Sequence, residues 1–147
     1  MKKIAIIIGV LIIIGLGIWA WQASEKSPVA KINNRSFKLY VAKTEKDKQI
    51  GLSKYKKIEN ERGMVFSFSK ANYYPFWMKE MKFPIDIIYI NDGKIVTIYR
   101  NVPTPKDKLS PPVYNSTKPA DTVLEVNAGL SQKYNFKEGD TVSFSNI

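Results

Sequence analysis

Tyr74-Pro75-Phe76-Trp77-Met78-Lys79-Glu80-Met81-Lys82-Phe83-Pro84-Ile85-Asp86-Ile87-Ile88-Tyr89-Ile90 is the stretch whose reading decides the fold. Pro75 and Pro84 fix their own φ and push the residue before each towards extended conformations. A regular central strand does not suit the span between them. The sequence predicts an extended, kinked crossing that carries Trp77 onto or into the core. From Ile85 the pattern changes to the strongest strand signal in the chain. Ile85 to Ile90 and Lys94 to Arg100 flank Asn91-Asp92-Gly93, and an Asp-Gly pair accepts the positive φ of a tight hairpin. Both strands are apolar on both faces, which predicts central strands covered on each side. Asp86 stands out as a carboxylate inside a run of isoleucines.

Upstream, Val29 to Asn33 and Arg35 to Ala42 read as two strands around an Asn33-Asn34 turn. Phe37, Leu39 and Val41 share one face by alternation. Thr44 is a helix N-cap, with Glu45 and Asp47 in the first turn, and this short helix ends near Gly51-Leu52-Ser53. Lys54 to Arg62 is a charged connector. Gly63 to Ser69 is a strand with Met64, Phe66 and Phe68 on one side. Downstream, Asn101 to Ala120 holds five of the eight prolines and reads as a long loop, the most mobile part of the domain. Thr122 to Val126 is a strand, Asn127 caps a short helix from Ala128 to about Tyr134, and Thr141 to Ser145 is the last strand.

At the amino terminus, Lys2-Lys3 precedes an apolar run from Ile4 to Trp21. As a helix this run spans roughly 27 Å, enough to cross a bilayer core. The expectation is a membrane anchor (or uncleaved signal) over 1–22, a tether over 23–29 and one domain over 30–147. The basic residues hold the amino terminus inside, so the domain faces outward from the cytoplasmic membrane on a single pass. A cleaved signal peptide is the competing reading, and Trp21 and Ile18 fall where cleavage wants small residues.

The 147 residues carry a formal charge of +10 and no cysteine or histidine. Disulfides, thiolate zinc sites, thiol nucleophiles and a Ser-His-Asp triad are thereby excluded. Lys2 and Lys3 account for two charges, leaving +8 for the rest. Dispersed lysines without an arginine-rich stripe argue against nucleic acid as a partner. An envelope polysaccharide or an envelope protein remains as the expected partner, besides the membrane itself. No cofactor and no metal is expected, since no acidic loop spacing suits calcium or magnesium.

Four pieces stand together in order: Gly51-Leu52; Arg62-Gly63-Met64-Val65-Phe66; Phe76-Trp77-Met78-Lys79 with Phe83 to Ile90; and Val123 to Gly129 with Gly139-Asp140-Thr141-Val142. Together they resemble the domain-of-unknown-function family 192, small bacterial and archaeal proteins that often carry an amino-terminal signal or anchor. The resemblance runs from about Phe37 to Phe144. It implies a compact, mainly β fold, a β-barrel or β-sandwich with one or two short helices, here preceded by one transmembrane helix. It implies no reaction. Glu80-Met81 departs from the neutral polar pair that more often follows the Trp-Met-Lys.

The candidate ligand-binding residues are Trp77, Lys79, Asp86, Tyr114, Glu125 and Asn127. An aromatic platform beside carboxylates and amides is a common way to hold a sugar. Each also has a plain structural role open to it. Asp86 and Glu125 can accept backbone or indole N–H bonds, Trp77 can be core and Asn127 can be only a helix cap. The sequence therefore points first to a membrane-anchored, extracytoplasmic binding or accessory domain without catalytic residues. The alternatives are an envelope carbohydrate hydrolase using Asp86 and Glu125 as paired carboxylates, and a structural partner domain of an envelope protein.

Overall fold

The structure is a computed structural model, and it describes residues 27–147. The anchor expected over Ile4 to Trp21 lies outside the described residues. Among the described residues, no helix is long and apolar enough to cross a membrane.

The fold is mainly β, with nine strands and two short helices among the described residues. In chain order they are β1 (Val29–Ile32), β2 (Arg35–Val41), α1 (Glu45–Ile50), β3 (Arg62–Asn72), β4 (Pro75–Trp77), β5 (Ile85–Asn91), β6 (Lys94–Val102), β7 (Val113–Asn115), β8 (Ala120–Asn127), α2 (Leu130–Lys133) and β9 (Val142–Ser145). Seven strands form one sheet in the order β6-β5-β8-β3-β2-β1-β9, and β4 pairs with β7 in a separate two-stranded ribbon. The β2–β3 pair is parallel and the other pairs are antiparallel.

The sheet curls until its two edges meet at one end. Ile95 N donates to Asp140 O (3.0 Å), Gly139 N to Ile95 O (2.8 Å) and Val142 N to Gly93 O (2.8 Å). Closing one end satisfies backbone groups that an edge strand would otherwise present. The result is a half-barrel rather than a sandwich of two stacked sheets. The Asp92-Gly93 turn behaves as its sequence demands, with φ of 48° and 66° at the two residues.

Side chains alternate across the sheet and build two cores. One face buries Phe37, Leu39, Val65, Ile88, Leu124 and Val126 against Leu130 and Phe136. The other buries Met64, Phe66, Ile85, Ile87, Tyr89 and Val123 beneath Leu52, Ile58 and Met78. Strand β5 has six consecutive buried residues, Ile85 to Ile90, as its two-sided apolar pattern requires. Strand β6 shares that pattern but is an edge strand, because the end-to-end ties with the β9 region shelter it instead of a neighbouring ladder. Gly63 is fixed by close approach. A Cβ there would lie 2.7 Å from the carbonyl oxygen of Glu125 on β8.

Three local expectations change. The proline-rich span after β6 contains β7, whose backbone pairs with β4, so it is not wholly irregular. Met78, not Trp77, enters the core from the crossing. Met78 is fully buried, whereas Trp77 is 48% exposed. The second helix is capped at Gly129 rather than Asn127.

Candidate functional site

The crossing from Tyr74 to Phe83, β3 and the end of α1 enclose a cleft of about 180 Å³. Each element reaches it for a local reason. Thr44 and Asp47 form a reciprocal capping box, with Thr44 Oγ1 accepting from Asp47 N and Asp47 Oδ2 accepting from Thr44 N, both at 3.0 Å. The helix stops after one and a half turns at Gly51, whose φ of 53° and ψ of −142° suit only glycine. That turn leaves the Gly51 Cα facing inward. A Cβ there would meet Phe66 Cζ at 3.6 Å and Glu125 Oε2 at 3.9 Å.

Aromatic rings form the walls. Phe66 and Phe68, two residues apart on β3, lie on the same face of the strand. Phe66 meets Phe76 edge-on at 5.0 Å, and Phe68 stacks on Tyr74 at 3.7 Å between centroids. Trp77 stands at the rim with Lys79 Nζ 5.6 Å from its ring centroid. Lys48 closes part of the opposite rim. Its Nζ lies 4.8 Å from the Phe68 centroid and 2.9 Å from Glu45 Oε1. After Met78 the chain makes a tight turn in which Met81 N donates to Met78 O (3.1 Å) and Glu80 takes φ 59°. This turn places Lys79 at the edge of the cleft.

Glu125 forms the floor. It is 5% exposed, and its Oε2 is buried without a hydrogen-bond partner. Burial pushes its carboxyl from an ordinary 4.5 up to about 8, so near neutral pH it is largely the uncharged acid. An uncharged carboxyl can donate one hydrogen bond and accept others. Nearby, the Tyr89 hydroxyl is also pushed up, by burial first and then by Tyr99 and Glu125. It is already committed, its one O–H donating to the Tyr114 carbonyl (2.7 Å) with the Tyr74 carbonyl at 3.2 Å.

Asp86 is elsewhere. It pairs with Val126, while Glu125 pairs with Ile87, so the two carboxylates point to opposite faces of the sheet. Asp86 is fully buried and accepts three backbone N–H bonds, from Asn101 (2.7 Å), Gly129 (3.0 Å) and Ser131 (2.7 Å). Its carboxylate thereby caps α2 from a neighbouring strand. Two carboxylates separated by a sheet cannot flank one glycosidic bond, and this corrects their reading as a catalytic pair. Asn127 donates to Ile58 O (2.9 Å) and Asn60 Oδ1 (3.1 Å), tying down the connector that precedes β3. Tyr114 sits in the β4–β7 ribbon, packed edge-on against Tyr99 at 5.2 Å. Of the six sequence candidates, the cleft gathers Trp77, Lys79 and Glu125 and leaves out Asp86, Tyr114 and Asn127.

The aromatic walls and Gly51 are the part that sequence reasoning missed. The shared face of Met64, Phe66 and Phe68 was legible, but a strand face gives no sign that its outer end is open. Among the described residues, no group of carboxylates is arranged to hold a metal.

Solved structures that resemble the chain include the following two. A protein of unknown function from Novosphingobium aromaticivorans has 26% identity and a TM-score of 0.71, over 78% of this chain and 83% of that one. A protein from Sinorhizobium meliloti, provisionally described as a transcription regulator, has 26% identity and a TM-score of 0.72, over 82% and 95%. No curated protein matches the chain. A family profile covers residues 28–144, which include every element from β1 into β9, and places the chain in domain-of-unknown-function family 192, described as an uncharacterised ACR family.

Proposed function

We propose that this protein is a membrane-anchored, extracytoplasmic binding or accessory domain that holds a carbohydrate in the cleft above Glu125. Glu125 carries the proposal. A buried polar atom without a partner costs about 1–3 kcal/mol, and here that atom lies at the base of an open aromatic cleft. A sugar hydroxyl can supply the absent partner while the ring packs on Phe76 and Trp77. Binding suits this geometry better than hydrolysis, because Asp86 lies across the sheet. The anchor and the outward orientation draw their support from Lys2-Lys3 and the apolar run Ile4 to Trp21.

Ligand-observed NMR on the full-length chain in detergent, with a panel of neutral monosaccharides, tests the binding. At least one sugar should bind, and Glu125→Leu should abolish that binding while the variant stays folded. Binding that survives Glu125→Leu, or no binding across the panel, would overturn the reading of the cleft. The anchor has its own test. The protein should stay with membranes through an alkaline wash, and release of a soluble form beginning near Ala23 would replace the anchor with a cleaved signal.

A further inference from the structure

Beyond Trp77 the cleft continues into a second groove, and the two share Gln49, Ile50, Trp77 and Lys79. The charge of the two parts differs. In the deep part, Lys48 is paired with Glu45 at 2.9 Å and Glu125 is largely uncharged near neutral pH. In the groove, Lys54, Lys79 and Lys82 face one carboxylate, Glu80. None of these three lysines makes an ion pair among the described residues. Lys79 and Lys54 lie instead over the rings of Trp77 and Tyr55, at 5.6 and 5.2 Å. The arrangement is therefore a polar, uncharged floor, aromatic walls, and an excess of positive charge just past the exposed indole.

From this juxtaposition we infer that the ligand is an anionic sugar, with its ring against Trp77 above Glu125 and its phosphate or carboxylate in the lysine groove. The inference rests on the carbohydrate reading of the cleft and adds the charge of the ligand to it. Each part of the site has one task. The acid on the floor exchanges hydrogen bonds with a hydroxyl at no cost in net charge. The lysines, as flexible point charges, receive an anion without demanding a single planar geometry. Glu80 faces the same groove and opposes the anion, so the attraction comes from the three lysines outnumbering it. A cationic ligand would meet the same lysines as repulsion and would find no carboxylate charge at Glu125 to offset it near neutral pH. The groove thus selects against amines as well as for anions.

Calorimetry on the full-length chain in detergent, with glucose, glucose 6-phosphate, glucuronate and inorganic phosphate, tests this. At low salt the two anionic sugars should bind about tenfold more tightly than glucose, the gain expected of roughly one charge-assisted hydrogen bond. That ratio should shrink at high salt, because the groove is open to solvent. Lys54→Gln combined with Lys82→Gln should reduce the ratio towards one, with circular dichroism reporting that the fold is kept. A response to only one of the two anionic sugars would identify the phosphate or the carboxylate as the source of the charge. Equal affinity for glucose and both anionic sugars would overturn the inference and leave the carbohydrate reading standing. Inorganic phosphate binding as tightly as glucose 6-phosphate would also overturn it, by reducing the groove to a non-selective anion surface. Failure of glucose and of both charged sugars would sink the inference together with the reading beneath it.

Discussion

The two faces of the sheet each bury one carboxylate, and they treat it in opposite ways. On the face covered by α2, Asp86 receives backbone N–H groups from Asn101, Gly129 and Ser131, so one side chain fixes the end of β6 and the start of the helix together. On the face covered by α1 and the Tyr74–Phe83 crossing, Glu125 is also buried, yet its Oε2 meets no donor. Burial alone does not separate a structural carboxylate from a candidate ligand group; the donors around it do. Asp86 completes the fold from within, while Glu125 leaves a hydrogen-bonding position that the fold does not fill.

The largest expected effect lies on the Asp86 side. Asp86→Ala leaves three backbone donors without an acceptor in the core, and each buried unsatisfied group costs about 1–3 kcal/mol. A loss of at least about 3 kcal/mol is expected in urea unfolding. Asp86→Asn retains one acceptor oxygen and should fall between the two. A midpoint for Asp86→Ala equal to that of the parent would erase the contrast between the two faces.

The next effect is on the Glu125 side and appears through pH. The folded carboxyl is pushed up to about 8 from an ordinary 4.5, so the native state holds its proton where the unfolded chain has released it. Unfolding then releases a proton, and stability falls as pH rises between those two values. The full decline is on the order of a few kcal/mol. Asp47 and Glu59 are shifted the other way, Asp47 by its bonds with Thr44, and Glu59 by its own backbone N–H and then by Arg62. Their contributions are lost on the acid side, below the window of Glu125. Glu125→Gln cannot ionise, so its unfolding free energy should be nearly flat from pH 5 to 8. Near the upper end it should exceed the parent. A slope that persists in the variant would assign the pH dependence to another group and remove the burial argument for Glu125.

Much of the fold was readable because its signals are local. The Asp92-Gly93 turn, the Thr44 cap and the two-sided apolar run of β5 each depend on a few adjacent residues. Three features depended on distant partners and were not readable. Asn127 occupies a cap position by sequence, but the Asp86 carboxylate already serves the α2 amides, and the Asn127 side chain turns to Ile58 and Asn60. Strand β6 has the composition of a central strand, yet it stands at the edge because the chain near Asp140 reaches across to it. Asp86 and Glu125 look alike in sequence, each a single acid among apolar residues. The sheet register that turns them to opposite faces is a property of the β5–β8 pairing and of neither strand alone.

The smallest expected effect on stability, and the sharpest on binding, concerns Trp77. An indole between Phe76 and Met78 invites a core assignment, but Met78 takes the core position and Trp77 is left 48% exposed beneath Lys79. An exposed cation–π contact contributes about 0.5–1 kcal/mol. Trp77→Ala should therefore lower the unfolding free energy by no more than about 1 kcal/mol, well short of the loss in Asp86→Ala. Sugar affinity should fall by about tenfold or more, because the face on which the ring packs is gone while the floor of the cleft remains. Trp77→Phe should recover part of the affinity, since it restores an aromatic face of smaller area. Urea unfolding and ligand-observed NMR on the same samples separate the two quantities. A loss of stability matching that of Asp86→Ala would make Trp77 a packing residue, and the cleft would lose the wall that joins its two parts.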